Sequence, residues 1–486
     1  MIQNRLATLK YLVFLPLLWS GVPAYAEAVT HHYTVTIDYS LSWLWVEARF
    51  GRPVDSVTAR SRNAGRYLRD VRGCGEDPNI RMRNRRMMLP DDGIRCLNYT
   101  VDLKRVAEEF RNSRSLTENN IVASPAYWLW RPELFGDAEI QIDFRLPENV
   151  RVSVPWQQVD GAANRYLLSR SPESAYAPAI FGKFDYREIQ VPGATLRVAL
   201  VETTAETNND AIFNFVQATA TDVSLAYGRF PNPSPQVMVV PVNGGRSSDP
   251  VSFGRVVRDG GESVELFIDP DQPVETLIGD WKATHEFSHL MLPYLHSEYH
   301  WISEGFAQYY QNVLLTRAGE YDELFAWQKI YAGYERGRKS RPELSPSAAA
   351  AGDVRSARMK VYWSGAAVAL MADVALRERS NGDETLDSVL GRFQECCLPS
   401  QKVWTGPEFF AKLDSLATEP VFMPLYRRYA NTAGFPDTSE LLERLGLRVE
   451  DGQVSLRRKA ELQEIREDIL RTDAPVAQWR GQLAGH

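Results

Sequence analysis

His285-Glu286-Phe287-Ser288-His289, followed by Trp301-Ile302-Ser303-Glu304-Gly305-Phe306-Ala307, is the stretch on which the reading of this chain turns. Four of the seven histidines in its 486 residues fall between positions 285 and 300. A helix puts positions i and i+4 one turn apart on the same face, so His285 and His289 project together and can hold one cation. Trp281 and Ile278 continue that stripe below His285. Glu286 is turned by about 100° from His285, a position from which it can reach a water on the cation without ligating it. Two imidazoles, an oxygen ligand and a free carboxylate are the parts of a hydrolytic zinc centre.

The oxygen ligand has competitors. A third histidine in the metzincin arrangement would replace Leu295, with a glycine at Leu292. His296 is one residue out of that register and His300 further out. Glu304 fits better: it stands on the following helix, just before Gly305, where a carboxylate can meet the metal between antiparallel helices. His296 and His300 then read as loop residues or as neighbours of the ligands. The bland alternative, a solvated helix whose histidines pack on Trp281, leaves Glu304 and its helix unexplained.

The whole chain sets bounds on this reading. Its length calls for two or three domains, and 44% hydrophobic with 24% charged residues is globular composition. A net charge of −7 argues against nucleic acid as the partner. Residues 1–26 read as a signal peptide: Arg5 and Lys10, the apolar run Tyr11 to Trp19, then Ala24-Tyr25-Ala26. The run is shorter than the ~20 residues of a membrane span. Cleavage after Ala26 and a periplasmic or secreted protein without an integral membrane segment is the expectation; an uncleaved anchor is the alternative. Export permits disulfides. Cys74 and Cys96 are suited to a bridge, whereas the adjacent Cys396 and Cys397 are expected to stay reduced or to pair elsewhere. No cysteine is assigned to the metal.

From residue 30 the pattern is β. Tyr33, Val35, Ile37 and Tyr39 alternate with polar residues, and so do Ile140, Ile142, Phe144 and Leu146. Residues 30–192 are expected to form an all-β, sandwich-like domain, with Tyr127 to Pro132 in its core rather than in a cleft. Strands are then expected at Leu196 to Val201 and Val237 to Val240, a helix at 206–226, and a hairpin from Ser252 to Ile268. Helical periodicity predicts helices near 274–292, 302–317, 321–336, 357–379, 384–394 and 406–430. Residues 337–356 read as a mobile, solvated loop, and 446–486 as a helical tail with a helix near 457–470. Residues 193–445 form an α+β, mostly helical, catalytic domain in this division.

With Val361-Tyr362-Trp363-Ser364-Gly365-Ala366 added to the two opening motifs, the chain resembles a gluzincin metallopeptidase. The similarity is to the glycyl aminopeptidase family and, more distantly, to aminopeptidase N; it is concentrated in residues 270–395. The resemblance implies a thermolysin-like catalytic domain after a β domain, with His285, His289 and Glu304 on one zinc ion and Glu286 as base. It also implies that Tyr362, heading a Tyr-x-x-Gly, stabilises the tetrahedral oxyanion; as a plain alternative, Tyr362 is a core aromatic. One departure stands out. Relatives carry a glutamate that binds the substrate's α-amine shortly before the zinc helix. Here Gly244-Gly245 and then Ser252-Phe253-Gly254-Arg255 bring no such carboxylate, which leaves aminopeptidase activity open. Strand Phe253 to Arg258 is suited to main-chain pairing with an extended peptide.

The expected function is that of an exported zinc metallopeptidase cleaving peptides or proteins by Glu-assisted attack of a zinc-bound water. The alternatives are a catalytically silent peptide-binding protein with the same fold, and a zinc hydrolase acting on a non-peptide bond.

Overall fold

The computed structural model describes residues 29–75, 80–109, 119–135, 138–173, 176–201, 207–242 and 249–472. The expected signal peptide and the Gly244-Gly245 segment lie outside them. In the N-terminal region, strand Thr30–Ile37 buries Tyr33, Val35 and Ile37, as its alternation demands. It pairs antiparallel with Trp43–Val54 and parallel with Glu139–Arg145, at the centre of a seven-stranded sheet. One face of this sheet shares a core with a three-stranded sheet of Asn120–Val122, Arg151–Ser153 and Ile180–Gly182. Trp128 and Trp130 are fully buried there, and the Tyr33 hydroxyl donates to the Trp130 carbonyl at 2.9 Å. Helices Leu103–Glu109 and Pro125–Trp128 interrupt the strands. The region is β-rich rather than all-β.

A second sheet of five strands carries the helical part of the molecule. Its first strand, Asp185–Val191, lies within the span expected for the N-terminal domain. It turns back at Pro192-Gly193, where Gly193 has φ +73°, and pairs antiparallel with Ala194–Leu200. The latter runs parallel to Gln236–Pro241, and that in turn to Glu262–Ile268. Strand Val251–Arg258 closes the order as an antiparallel edge. Across the junction of the two regions, Trp156 Nε1 donates to the Asp259 carbonyl at 3.0 Å and Arg197 to the Val154 carbonyl at 3.0 Å. A small shared cluster of Ile180, Phe184, Ala199, Met238 and Val240 fills the space between them.

Two helical expectations and one loop are revised by local chemistry. The helix foreseen at 274–292 is two, Val274–Ile278 and Trp281–Ser288, because Asp280 breaks in and caps the second by accepting from Lys282 N at 2.8 Å. The helix at 406–430 divides into Gly406–Leu416 and Phe422–Tyr429. Between them Pro420 intervenes, and the Asp414 carboxylate accepts the N–H groups of Val421, Phe422 and Met423 at 2.7–2.8 Å. The stretch 337–356 is mostly structured: helix Glu323–Lys339 runs into it, and Ser345 caps Pro346–Ala351, whose Ala349 and Ala350 are buried. The tail begins with a hairpin, Leu447–Glu450 with Gln453–Leu456, before helix Gln463–Leu470. Cys74 bonds Cys96, and Cys396 bonds its neighbour Cys397, against the expectation for that pair.

Among the described helices, Val354–Ser380 has the length and apolarity of a membrane span, yet most of it is buried in the protein. It packs along His300–Arg317 so closely that a Cβ on Gly305 would stand 2.2 Å from the Gly365 Cα, and one on Gly365 would stand 1.8 Å from the Trp301 carbonyl oxygen. Only glycines allow two helix backbones to meet this way.

Candidate metal centre

The glycine crossing decides what faces what. Glu304 precedes Gly305 by one residue, and Tyr362 precedes Gly365 by three, so the contact draws a carboxylate and a phenol to the same spot. Opposite them lies helix Trp281–Ser288, anchored by the buried Phe287, which meets Phe230 edge-on with ring centroids 5.5 Å apart. Edge strand Val251–Arg258 clasps this helix at both ends. Asp280, at its N-terminus, accepts from Val251 N at 3.3 Å. At its C-terminus the Arg258 guanidinium, held by Glu262 at 2.6 Å, donates to the carbonyls of His289 and Leu292, each at 3.2 Å. A cation on the last carbonyls of a helix satisfies orphan acceptors and opposes the helix dipole.

Between these elements His285, His289 and Glu304 converge, their ligand atoms all within 4.8 Å of one another. Nε2 of His285 lies 3.3 Å from Oε2 of Glu304, and Nε2 of His289 lies 3.5 Å from the same oxygen. Ligands ~2.1 Å from a tetrahedral cation stand about 3.4 Å apart, so two edges of the triangle already have the spacing a zinc ion requires. Two nitrogens and one carboxylate oxygen leave a fourth vertex open, the donor set of a hydrolytic site rather than of a closed structural one. The residues fit the metal.

The electrostatics point the same way. Burial opposes charge on His285, but hydrogen bonds that its ring donates to Glu304 and Gln311 and the charges of Glu286 and Glu304 overcome it, so its pKa is raised. Burial alone would also raise the Glu304 carboxyl; His289 and His285 instead hold it well below the usual range. Burial raises the Glu286 carboxyl, with the two imidazoles pulling against it. Two carboxylates and two imidazoles in one buried pocket are balanced by positive charge, which protonated imidazoles supply here and a bound cation would supply in their place.

Gln311 was missed in the sequence. Its Oε1 lies 2.9 Å from His285 Nδ1, which fixes that ring and leaves Nε2 for the cation. Glu304, Gln308 and Gln311 follow at helical spacing on one face, a signal the sequence did contain. Gly254 was noticed only for lacking a carboxylate nearby. A Cβ there would stand 2.6 Å from Glu286 Cγ, so the strand backbone rests directly against the Glu286 side chain. Tyr362 stacks on the His285 ring, centroids 5.7 Å apart and 6° from parallel. Burial first, then the Glu304 and Glu286 charges and a hydrogen bond with Glu304, push its hydroxyl far up, which keeps it a donor. His300 joins the rim, its pKa lowered by burial, while His296 is exposed. Neither belongs to the ligand triangle.

Two cavities open from the centre, both roofed by the edge strand. One of about 440 Å³ is lined by Tyr294, His300, Ser303 and Glu304. The other, of about 560 Å³, runs past Gln308 and Gln311 to Lys329, Arg336 and Arg358. Glu286 and Tyr362 border both, so the two cavities meet at these side chains.

No protein-family model matches this chain, and neither does any curated protein. Among solved structures, an M1 zinc metallopeptidase from Deinococcus radiodurans is similar at a TM-score of 0.47 and 13% identity, over 84% of this chain and 94% of that one. An aminopeptidase N family protein from Idiomarina loihiensis is similar at a TM-score of 0.55 and 14% identity, over 90% of this chain and 78% of that one. The β-rich N-terminal region and the helical part behind it have, together, the fold of that aminopeptidase N family protein.

Proposed function

We propose that this chain is a zinc-dependent metallopeptidase, with a thermolysin-like catalytic domain that hydrolyses peptide bonds at the His285–His289–Glu304 centre. The observation that carries the reading is the triangle itself, two imidazole nitrogens at 3.3 and 3.5 Å from one carboxylate oxygen, with a base and a phenol beside it. When bound, a single zinc ion supplies Lewis acidity, polarising a carbonyl and easing the loss of a proton from water.

The residues do the rest. An extended peptide pairs its main chain with the open edge of Val251–Arg258, which brings its scissile carbonyl between Glu286 and Tyr362. Gly254 lets the strand and the peptide come close to Glu286. Glu286 takes a proton from the attacking water as oxygen adds to the carbonyl carbon, and then delivers it to the leaving nitrogen as the C–N bond breaks. Tyr362 donates its O–H to the developing oxyanion, a role suited to a phenol kept protonated by its surroundings. Gln311 holds the His285 ring, and Glu304 is kept ionised to ligate. Export, expected from residues 1–26, is part of the proposal; the pairing of all four cysteines supports work outside a reducing compartment.

The test is direct. The purified chain is loaded with zinc and mixed with a peptide library, and new termini are read by mass spectrometry with and without a chelator. The expected result is cleavage abolished by the chelator and restored by zinc, with Glu304→Ala lowering zinc content. A chain that holds one zinc and cleaves nothing while binding peptides would be the silent protein instead.

A further inference from the structure

Charge inside the cleft is lopsided, on a chain of net charge −7. The 560 Å³ cavity gathers Lys282, Lys329, Arg336 and Arg358 on one side of the centre. Lys282 is neutralised by Asp249 at 3.0 Å and Asp280 at 3.5 Å. Among the described residues, no carboxylate forms an ion pair with Lys329, Arg336 or Arg358. Aromatic faces hold two of them: the Arg336 guanidinium lies 5.4 Å from the Trp363 ring centre, and Lys329 Nζ lies 4.9 Å from that of Tyr321. Burial and then Arg336 lower the Lys329 pKa, a repulsion that a bound anion would relieve. The carboxylates lining the two cavities are Asp249, already paired, and Glu286 and Glu304 in the centre itself. Among the described residues, the cleft has positive charge to spare and no spare negative charge for an amine.

Placement turns this into a substrate rule. Arg358 sits one helical turn, about 5.4 Å, before Tyr362 on the same face of Val354–Ser380. Lys329 and Arg336 are two turns apart on one face of Glu323–Lys339. An extended substrate advances about 3.3 Å per residue. A group in reach of Arg358 therefore lies within about two residues of the scissile carbonyl under Tyr362, and Lys329 and Arg336 line the same cavity. We infer that the chamber walled by Lys329, Arg336 and Arg358 binds a substrate carboxylate next to the scissile bond, so that the preferred substrates are anionic peptides. The carboxylate is either the free C-terminus of a short peptide or an Asp or Glu side chain. This rests on the peptidase reading for the reaction, though not for the binding.

The experiment uses the zinc-loaded full chain and matched peptides: one ending in a free carboxylate, its C-terminal amide, and amidated versions carrying Glu or Gln near the cleavage site. The expected result is kcat/KM at least about tenfold higher for an anionic member than for its neutral twin, the scale of one charge-assisted hydrogen bond. Free acid over amide identifies the C-terminus; Glu over Gln identifies the side chain. In Arg336→Gln/Arg358→Gln the ratio should fall toward one through KM rather than kcat. Equal rates for anionic and neutral twins, or a ratio untouched by the double variant, overturn the inference. Calorimetric affinity of the same peptides for Glu286→Gln separates the two claims. A binding preference for the anion without any turnover in the wild-type chain would sink the peptidase reading and keep the chamber; equal affinities would sink the chamber.

Discussion

The ligand triangle and the cationic chamber adjoin one another, yet they are built by opposite means. The triangle is set by backbones: two helices touching at Gly305 and Gly365, and a strand clasped to a third helix through Asp280 and Arg258. The chamber is walled by long side chains, Lys329, Arg336 and Arg358, reaching in from two helices. Groups that must meet a ~2 Å bond length leave no slack for flexible side chains. Groups that attract an anion across water tolerate it. The difference teaches that the proposed reaction centre is tied to helix packing, whereas the proposed anion preference is carried by side chains at the wall of the cleft.

The sharpest way to break this comparison is Gly365→Ala. The added Cβ would lie 1.8 Å from the Trp301 carbonyl oxygen, a backbone atom that cannot rotate away. Destabilisation at or above the ~3 kcal/mol upper end of ordinary overpacking is expected, with zinc content and turnover lost together. Urea unfolding and metal stoichiometry measure both; wild-type values would mean the helix crossing is not what aligns Glu304. Glu286→Gln comes next. It keeps the shape beside Gly254 and the three ligands, so zinc should stay while kcat falls ~10²–10⁴-fold, and an unchanged kcat would remove Glu286 from the base role. Tyr362→Phe should cost ~10²–10³-fold in kcat with metal and fold intact. A rate near wild type would return the ring to packing on His285.

How much of this could be read in advance follows the same division. The pair His285 and His289 was legible because one helical turn fixes it locally, and Glu304 because a carboxylate before a glycine suits the start of a packed helix. The glycines in Glu304-Gly305 and Tyr362-x-x-Gly365 turn out to be statements about each other, which no single motif discloses. Strand Asp185–Val191 shows an alternation that suits either sheet, so its partner is decided only by the tight turn at Gly193. The breaks at Asp280 and Pro420 were present as signals but were outweighed by apolar periodicity, and the Ser345-Pro346 cap before an alanine run was outweighed by the polar, Pro-containing composition around it. Lys329, Arg336 and Arg358 carry no signature at all, since charged residues on helices are ordinary and only tertiary packing gathers them beside the metal centre.

Gln311 sits between the two regimes, and its expected effect is the smallest. Its side-chain oxygen takes the Nδ1–H of His285 at 2.9 Å, which selects the tautomer with a lone pair on Nε2 and sets the ring angle under Tyr362. Gln311 is itself buried, so its loss leaves both a small cavity and an unpaired N–H. Gln311→Ala should weaken zinc binding about 10–100-fold, with turnover under saturating metal changed much less. Gln311→Glu keeps an acceptor at that place and should recover most of the affinity, which a purely steric role for the residue would not predict. Titration against a competing chelator reads the difference. Equal affinities for wild type and Gln311→Ala would show that the His285 ring is oriented by its stacking on Tyr362 alone, and would extend the backbone-and-ring account of the centre to its last polar contact.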